Sequence, residues 1–148
     1  MRILAAGVAT IDIINTLATY PAEDQEVRAL KQRICRGGNA TNTLVVLSQL
    51  GHRCDWCGVV ADDPDSRLIL EDLARNGVST RYTVRHAGGR TPTSYVSVSQ
   101  DRGSRTIVHY RDLAELDLAQ LEKIDPSRYH WIHFEGRNIE PLLQLLPQ

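Results

Sequence analysis

Apolar and polar positions follow two rhythms along this chain, one helical and one extended, and the switches between them mark out strand–helix repeats. Ile3–Val8 is a short apolar run of strand character. Asn39–Leu50 carries Leu44, Leu47 and Leu50 at helical spacing before Gly51, and Cys54–Val60 returns to a strand, so these segments predict one β–α–β unit. A second helix is predicted from about Pro64 to Arg75, with Asp62 or Asp63 as cap, Pro64 near the first position and Asn76-Gly77 as the stop. Val78–Val84 reads as a strand. A helix over roughly Ala114–Ile124, a strand at His130–Glu135 and a Leu-rich helix from about Glu140 continue the alternation. The expected class is α/β, a parallel sheet flanked by helices.

Two segments break this rhythm. Thr91–Ser99 sets Tyr95 and Ser97 against Val96 and Val98, Asp101-Arg102-Gly103-Ser104 makes a turn, and Arg105–Tyr110 alternates again, which predicts an antiparallel hairpin. Ile13–Tyr20 and Glu26–Ile34 flank Pro21-Ala22-Glu23-Asp24 in the same way. The two excursions together predict a small second sheet, set apart from the main one and able to cover a cleft. At the C-terminus Leu142, Leu143, Leu145 and Leu146 make an apolar face that ends at Pro147-Gln148 with no following strand, so the expectation is a fold cut midway. No repeat or linker marks a domain boundary.

Composition narrows the possibilities. A chain of 148 residues, 42% hydrophobic and 24% charged, can bury one core, and a net charge of −1 gives no electrostatic footprint for nucleic acid. Met1–Val8 has only Arg2 as a basic flank and reads as a buried strand rather than a signal peptide. No apolar stretch is long enough to span a bilayer. Cys35, Cys54 and Cys57 are too few and too unevenly spaced for a disulfide framework, which favours a reducing compartment and the cytoplasm. Cys54 and Cys57 have redox-motif spacing, but in a strand positions three apart face opposite ways. The same geometry separates His130 from His133 and leaves no metal-ligand pattern, whereas His133 and Glu135 share a face. Gly7 lacks the Gly-x-Gly-x-x-Gly series of a dinucleotide site.

The candidate chemistry lies in Arg36-Gly37-Gly38-Asn39-Ala40-Thr41-Asn42. Adjacent glycines let a ligand approach the backbone, and the helix start that follows offers unpaired N–H groups. Asn39 and Asn42, three apart, share one helical face and can both donate and accept. A neutral polyhydroxyl molecule suits that mixture better than a lone anion; ordinary helix capping is the simpler alternative. Asp12 falls just past the first strand, where open parallel sheets place ligand groups, with Asp24 as a companion. A carboxylate can accept from two adjacent hydroxyls, each charge-assisted bond contributing about 1.5–3 kcal/mol. Equally, both acids suit turns.

Taken in order, Asp12, Tyr20-Pro21-Ala22-Glu23-Asp24, Arg36 to Asn42, and Trp131-Ile132-His133-Phe134-Glu135-Gly136-Arg137-Asn138 resemble the ribokinase-like (pfkB) carbohydrate kinases, most closely their ketohexokinase branch. The resemblance implies that residues 1–148 are the N-terminal half of a ribokinase-like domain. It implies that Asp12, Asp24, Gly38, Asn39 and Asn42 bind the sugar, and that Arg105 and Arg137 lie near the sugar and the transferred phosphate. Segments 13–35 and 91–111 match the family's β-sheet lid, which in that branch interlocks with a second subunit, so a homodimer is expected. The reaction implied is ATP-dependent phosphorylation of fructose at its 1-hydroxyl, with Mg²⁺ and an activating K⁺ in the complete enzyme. Leu44 and Ala61 depart from the family signature, which has a small residue and a glycine there. The family's catalytic Gly-Ala-Gly-Asp segment does not occur in this sequence. The expectation is therefore a chain with no catalytic residue or metal ligand of its own, no bound cofactor, weak sugar binding at best and no activity alone: half of a ketohexokinase, half of a pfkB kinase for another sugar or nucleoside, or a non-catalytic dimerisation partner.

Overall fold

The computed structural model, which describes residues 1–136, 140, 143 and 144, divides the chain between two four-stranded sheets. Strands β1 (Arg2–Ala6), β4 (Arg53–Ala61), β5 (Val78–His86) and β8 (Trp131–Phe134) form a wholly parallel sheet in the order β5-β4-β1-β8. Helices α1 (Asn39–Gln49) and α2 (Pro64–Arg75) cover one face, where Leu44, Val45, Ile69 and Leu73 pack on Ile3, Ala5, Cys54 and Trp56. Leu121 and Ile124 cover Leu4, Ala6 and Cys57 on the other face. Burial on both sides is why β1 and the carboxyl-terminal half of β4 are apolar rather than alternating. It also sends the free thiols of Cys54 and Cys57 into different cores, as the strand period predicts.

The second sheet holds β2 (Thr10–Leu17), β3 (Lys31–Gly37), β6 (Thr93–Ser99) and β7 (Arg105–Tyr110) in the order β3-β2-β6-β7. Two antiparallel hairpins meet in it through a parallel β2–β6 seam. The strand limits differ from the sequence reading. β2 starts at Thr10 rather than Ile13, and β3 starts at Lys31 rather than Glu26, because the ladder closes at Thr16 opposite Lys31 and residues 18–30 form no strand.

The helix expected over Ala114–Ile124 contracts to α3 (Leu118–Leu121). Asp117 caps it, its Oδ1 accepting from the Gln120 N–H at 2.9 Å. Upstream, Arg111 bonds the Leu113 carbonyl and pairs with Glu115, which holds that stretch on a non-helical path. The Leu-rich helix expected from about Glu140 falls largely outside the described residues.

Two carboxylates lock these layers together. Asp55, buried at the amino end of the parallel strands, accepts from Arg2 Nε at 3.3 Å, Arg81 Nη2 at 2.8 Å and the Tyr129 hydroxyl at 2.9 Å. Such a charge is tolerated inside only because it is fully partnered. Asp63 caps α2 by accepting from the Ser66 N–H at 2.8 Å, and its two oxygens also accept from the Thr91 N–H at 2.8 Å and the Thr91 hydroxyl at 2.7 Å. One side chain thus joins the main sheet's helix to the entry of β6. Burial alone pushes the Asp63 carboxyl up, but the bonds from Thr91 and Ser66 outweigh it and hold it below its ordinary value of 3.8.

A carboxyl depressed in the folded state stabilises the protein above its unfolded value and loses that contribution as pH falls through the folded value. Asp63→Ala should therefore cost about 1–2 kcal/mol at pH 7. Urea denaturation of parent and variant should show that gap narrowing once the pH drops below 3.8.

Candidate functional site

At the carboxyl end of β1 the chain reverses around a set of pinned backbone groups. The Gly7 N–H donates to the Cys57 carbonyl at 3.0 Å, the indole N–H of fully buried Trp56 donates to the Gly7 carbonyl at 3.1 Å, and the Val8 N–H donates to Glu135 Oε2 at 2.8 Å. This reversal feeds β2, so Asp12 is the third residue of a strand in the second sheet rather than part of a loop after β1. Its Oδ1 accepts from the Thr10 hydroxyl at 2.9 Å. On the neighbouring strand, two residues beyond its partner Cys35, a Cβ on Gly37 would collide with the Asp12 carboxylate.

Gly38 joins β3 to α1 at φ 104°, in the left-handed half of backbone space, and a Cβ there would press into the Val8 carbonyl oxygen. It caps α1 without any side-chain bond, so the first N–H groups of the helix keep the open valence of a helix start. Asn39 Nδ2 donates weakly to Glu135 Oε1 at 3.4 Å. Arg36 has a buried side chain; its Nε donates to Asp72 at 2.6 Å, and its Nη1 donates to the Thr41 hydroxyl at 3.0 Å and to Asn42 Oδ1 at 2.7 Å. That bond occupies the Asn42 oxygen and orients the amide, leaving its NH₂ as the group free to donate.

These residues converge on an open cleft of ≈ 320 Å³ between the second sheet and the start of α1. Asp12, Gly38, Asn39, Asn42 and Arg105 all line it. Asp24 does not line it: it sits exposed in the β2–β3 connection at φ 59°. Arg137 lies outside the described residues. Glu135, which shares a strand face with His133 in the sequence, lines the cleft too, whereas Val8, Thr10, Ser94, Ile107 and His109 line it without having been among the candidate residues from the sequence. Strand alternation carried part of this signal, since Arg105, Ile107 and His109 are alternate residues of β7 and share a face. Ser94 needed the register, which sets it opposite Asp12 on one side and His109 on the other.

Asp12, Ser94, Arg105 and His109 on the second sheet, with Asn39 and Asn42 at the start of α1, make a cleft suited to a small molecule with many hydroxyls. Among the described residues no three His, Cys, Asp or Glu side chains converge to hold a metal ion, and no helix is long and apolar enough to cross a membrane.

The mixed α/β fold, with its parallel sheet flanked by helices, matches that of ribokinase-like neighbours. The chain belongs to the pfkB family of carbohydrate kinases, whose pattern matches residues 2–134. It is 39% identical over 146 residues to ketohexokinase from Mus musculus, an alignment covering 98% of this chain and 49% of that enzyme. The chain thus spans about half the length of that relative. In three dimensions it is similar to an uncharacterized sugar kinase from Pyrococcus horikoshii, with a TM-score of 0.78 at 22% identity over 98% of this chain and 48% of that one. Ribokinase from Arabidopsis thaliana, solved with ribose and ATP, matches with a TM-score of 0.64 at 23% identity over 73% of this chain and 35% of that one.

Gly38 combines a left-handed backbone with close contact against the Val8 backbone carbonyl. Gly38→Ala should lower stability by more than about 2 kcal/mol. Chemical denaturation followed by circular dichroism measures this; a change within 0.5 kcal/mol, the order of an ordinary surface substitution, would show that the junction tolerates a side chain.

Proposed function

We propose that this chain forms the sugar-binding half of an ATP-dependent ketohexokinase that converts fructose to fructose 1-phosphate. The observation that carries the reading is the cleft in which Asp12, Asn39, Asn42 and Arg105 line one cavity; the 39% identity to a ketohexokinase supports the choice of sugar. In this reading the Asp12 carboxylate accepts from sugar hydroxyls, the Asn42 NH₂ donates to one, Asn39 exchanges bonds with another, and Gly38 lets the sugar reach the backbone. Asp24 joins them when the second sheet closes as a lid, its loop carrying the acid to a sugar held beneath the sheet. Arg105, on the cleft lining, is the cation for the group that receives the phosphate, and the family resemblance alone gives Arg137 the same role.

ATP, its Mg²⁺ and an activating K⁺ belong to the complete kinase. The Gly-Ala-Gly-Asp segment that carries the base and cradles the phosphate in the family does not occur in this sequence. We therefore assign the base and the nucleotide site to a part of the kinase outside this sequence and derive no transfer step here. The cytoplasm, where fructose and ATP meet, is the compartment this reading requires.

A homodimer through the lid is part of the same proposal, and one feature of the second sheet favours it. Register sets Ile34, Ile13, Tyr95 and Val108 in a row across all four strands, and Ile34, Tyr95 and Val108 are each about half or more exposed, at 51%, 49% and 65%. An apolar row of that kind is an association surface. A non-catalytic partner that pairs with a full-length kinase would use the same row.

Calorimetric titration with D-fructose should detect binding to the chain, and Asp12→Ala should weaken it by about 1.5–3 kcal/mol. Binding of a nucleoside in place of fructose would redirect the assignment within the family, and no binding of any sugar would remove it. Sedimentation should give a dimer that Val108→Glu dissociates; a monomeric parent chain would rule out the lid contact.

A further inference from the structure

Strand register does more than bring Asp12 to the cleft. Asp12 stands opposite Ser94, and Ser94 stands opposite His109, so a carboxylate, a hydroxyl and an imidazole form one cross-strand row on the cleft side of the second sheet. With neighbouring strands about 4.8 Å apart, His109 stands roughly 10 Å from Asp12. That separation is suited to gripping the two ends of one small polyhydroxylated molecule.

The imidazole is held in place. Its Nδ1 is bonded to the Ser94 hydroxyl at 3.2 Å, and Ser94 is buried, so the bond fixes the ring from beneath. Nε2 has no protein partner among the described residues, and the side chain lines the cavity. Whichever tautomer the Ser94 bond selects, Nε2 remains to donate to or accept from a ligand hydroxyl. Ile107 and Arg105, two and four residues back on the same strand face, supply an apolar step and a cation beside it. His109 is exposed as well as facing the cleft, which leaves its ring open to a ligand.

Resting on the sugar-binding reading above, we infer that His109 is a specificity-determining residue of the cleft. Its Nε2 hydrogen-bonds a substrate hydroxyl at the end remote from Asp12, and Ser94 is the positioning residue that aims it. A purely structural Ser94–His109 pair across two strands would instead act on stability and leave affinity unchanged.

The test uses the full chain and D-fructose. His109→Leu should weaken binding about tenfold by calorimetry, while His109→Gln, which keeps a donor and an acceptor, should stay within about threefold of the parent. Ser94→Ala should lower affinity in the same direction. With ¹⁵N-histidine labelling of the parent, fructose should shift the His109 ring signals and leave those of His52 and His86 in place, a readout that does not depend on any variant folding. If fructose binds and neither His109→Leu nor the ring signals respond, the role of His109 is overturned and the cleft assignment stands. If no sugar binds, both fall together.

Discussion

Everything in the cleft depends on the absence of two methyl groups. Where β3 runs into α1, Gly37 faces the Asp12 carboxylate and Gly38 faces the Val8 carbonyl, each too close for a Cβ. Because no side chain intervenes, the end of a strand in one sheet, the reversal after a strand of the other and the start of a helix meet at van der Waals distance. Arg36 reinforces the junction from the outer side by reaching α2 through Asp72 and α1 through Thr41 and Asn42. A single guanidinium therefore orients a cleft amide and ties the second sheet to both helices.

The parts of the fold governed by local chemistry were legible in the sequence. Helix α2 runs from Pro64 to Arg75 as read, because a capping acid, a proline at the first position and Asn76-Gly77 at the end all act within a few residues. The two-sheet plan was legible from the change of period. Strand ends in the second sheet were not, since residues 18–30 join no ladder and β3 begins only at Lys31 opposite Thr16, and pairing rather than propensity decides where a strand begins. The helix expected from Ala114 gave way to the long-side-chain bonds of Arg111 and to a cap at Asp117, which a periodicity count does not weigh.

The cleft divides along the same line. Asn39 and Asn42 were visible because their helical spacing is short-range, and both line the cavity. Glu135 was visible only through the strand face it shares with His133, and Ser94 and His109 were not singled out, because all three reach the cleft through pairing between separate strands: β2 with β6, β6 with β7 and β1 with β8. Asp24 shows the converse. Its resemblance to a sugar-binding position is sequential, whereas its place in this structure is an exposed connection away from the cavity.

The three cysteines have a practical consequence. Burial pushes the Cys57 thiol up to about 12, and Cys54 is raised by burial and then by the neighbouring charge of Asp55. Only a thiolate attacks a maleimide or a disulfide reagent, so both sulfurs stay inert while the parallel sheet is intact. Cys35 is half-buried beside Asp12 on β3, in the other sheet. Timed alkylation thus reads two events in one unlabelled chain: local fraying of the roof at Cys35, and loss of the main sheet at Cys54 and Cys57.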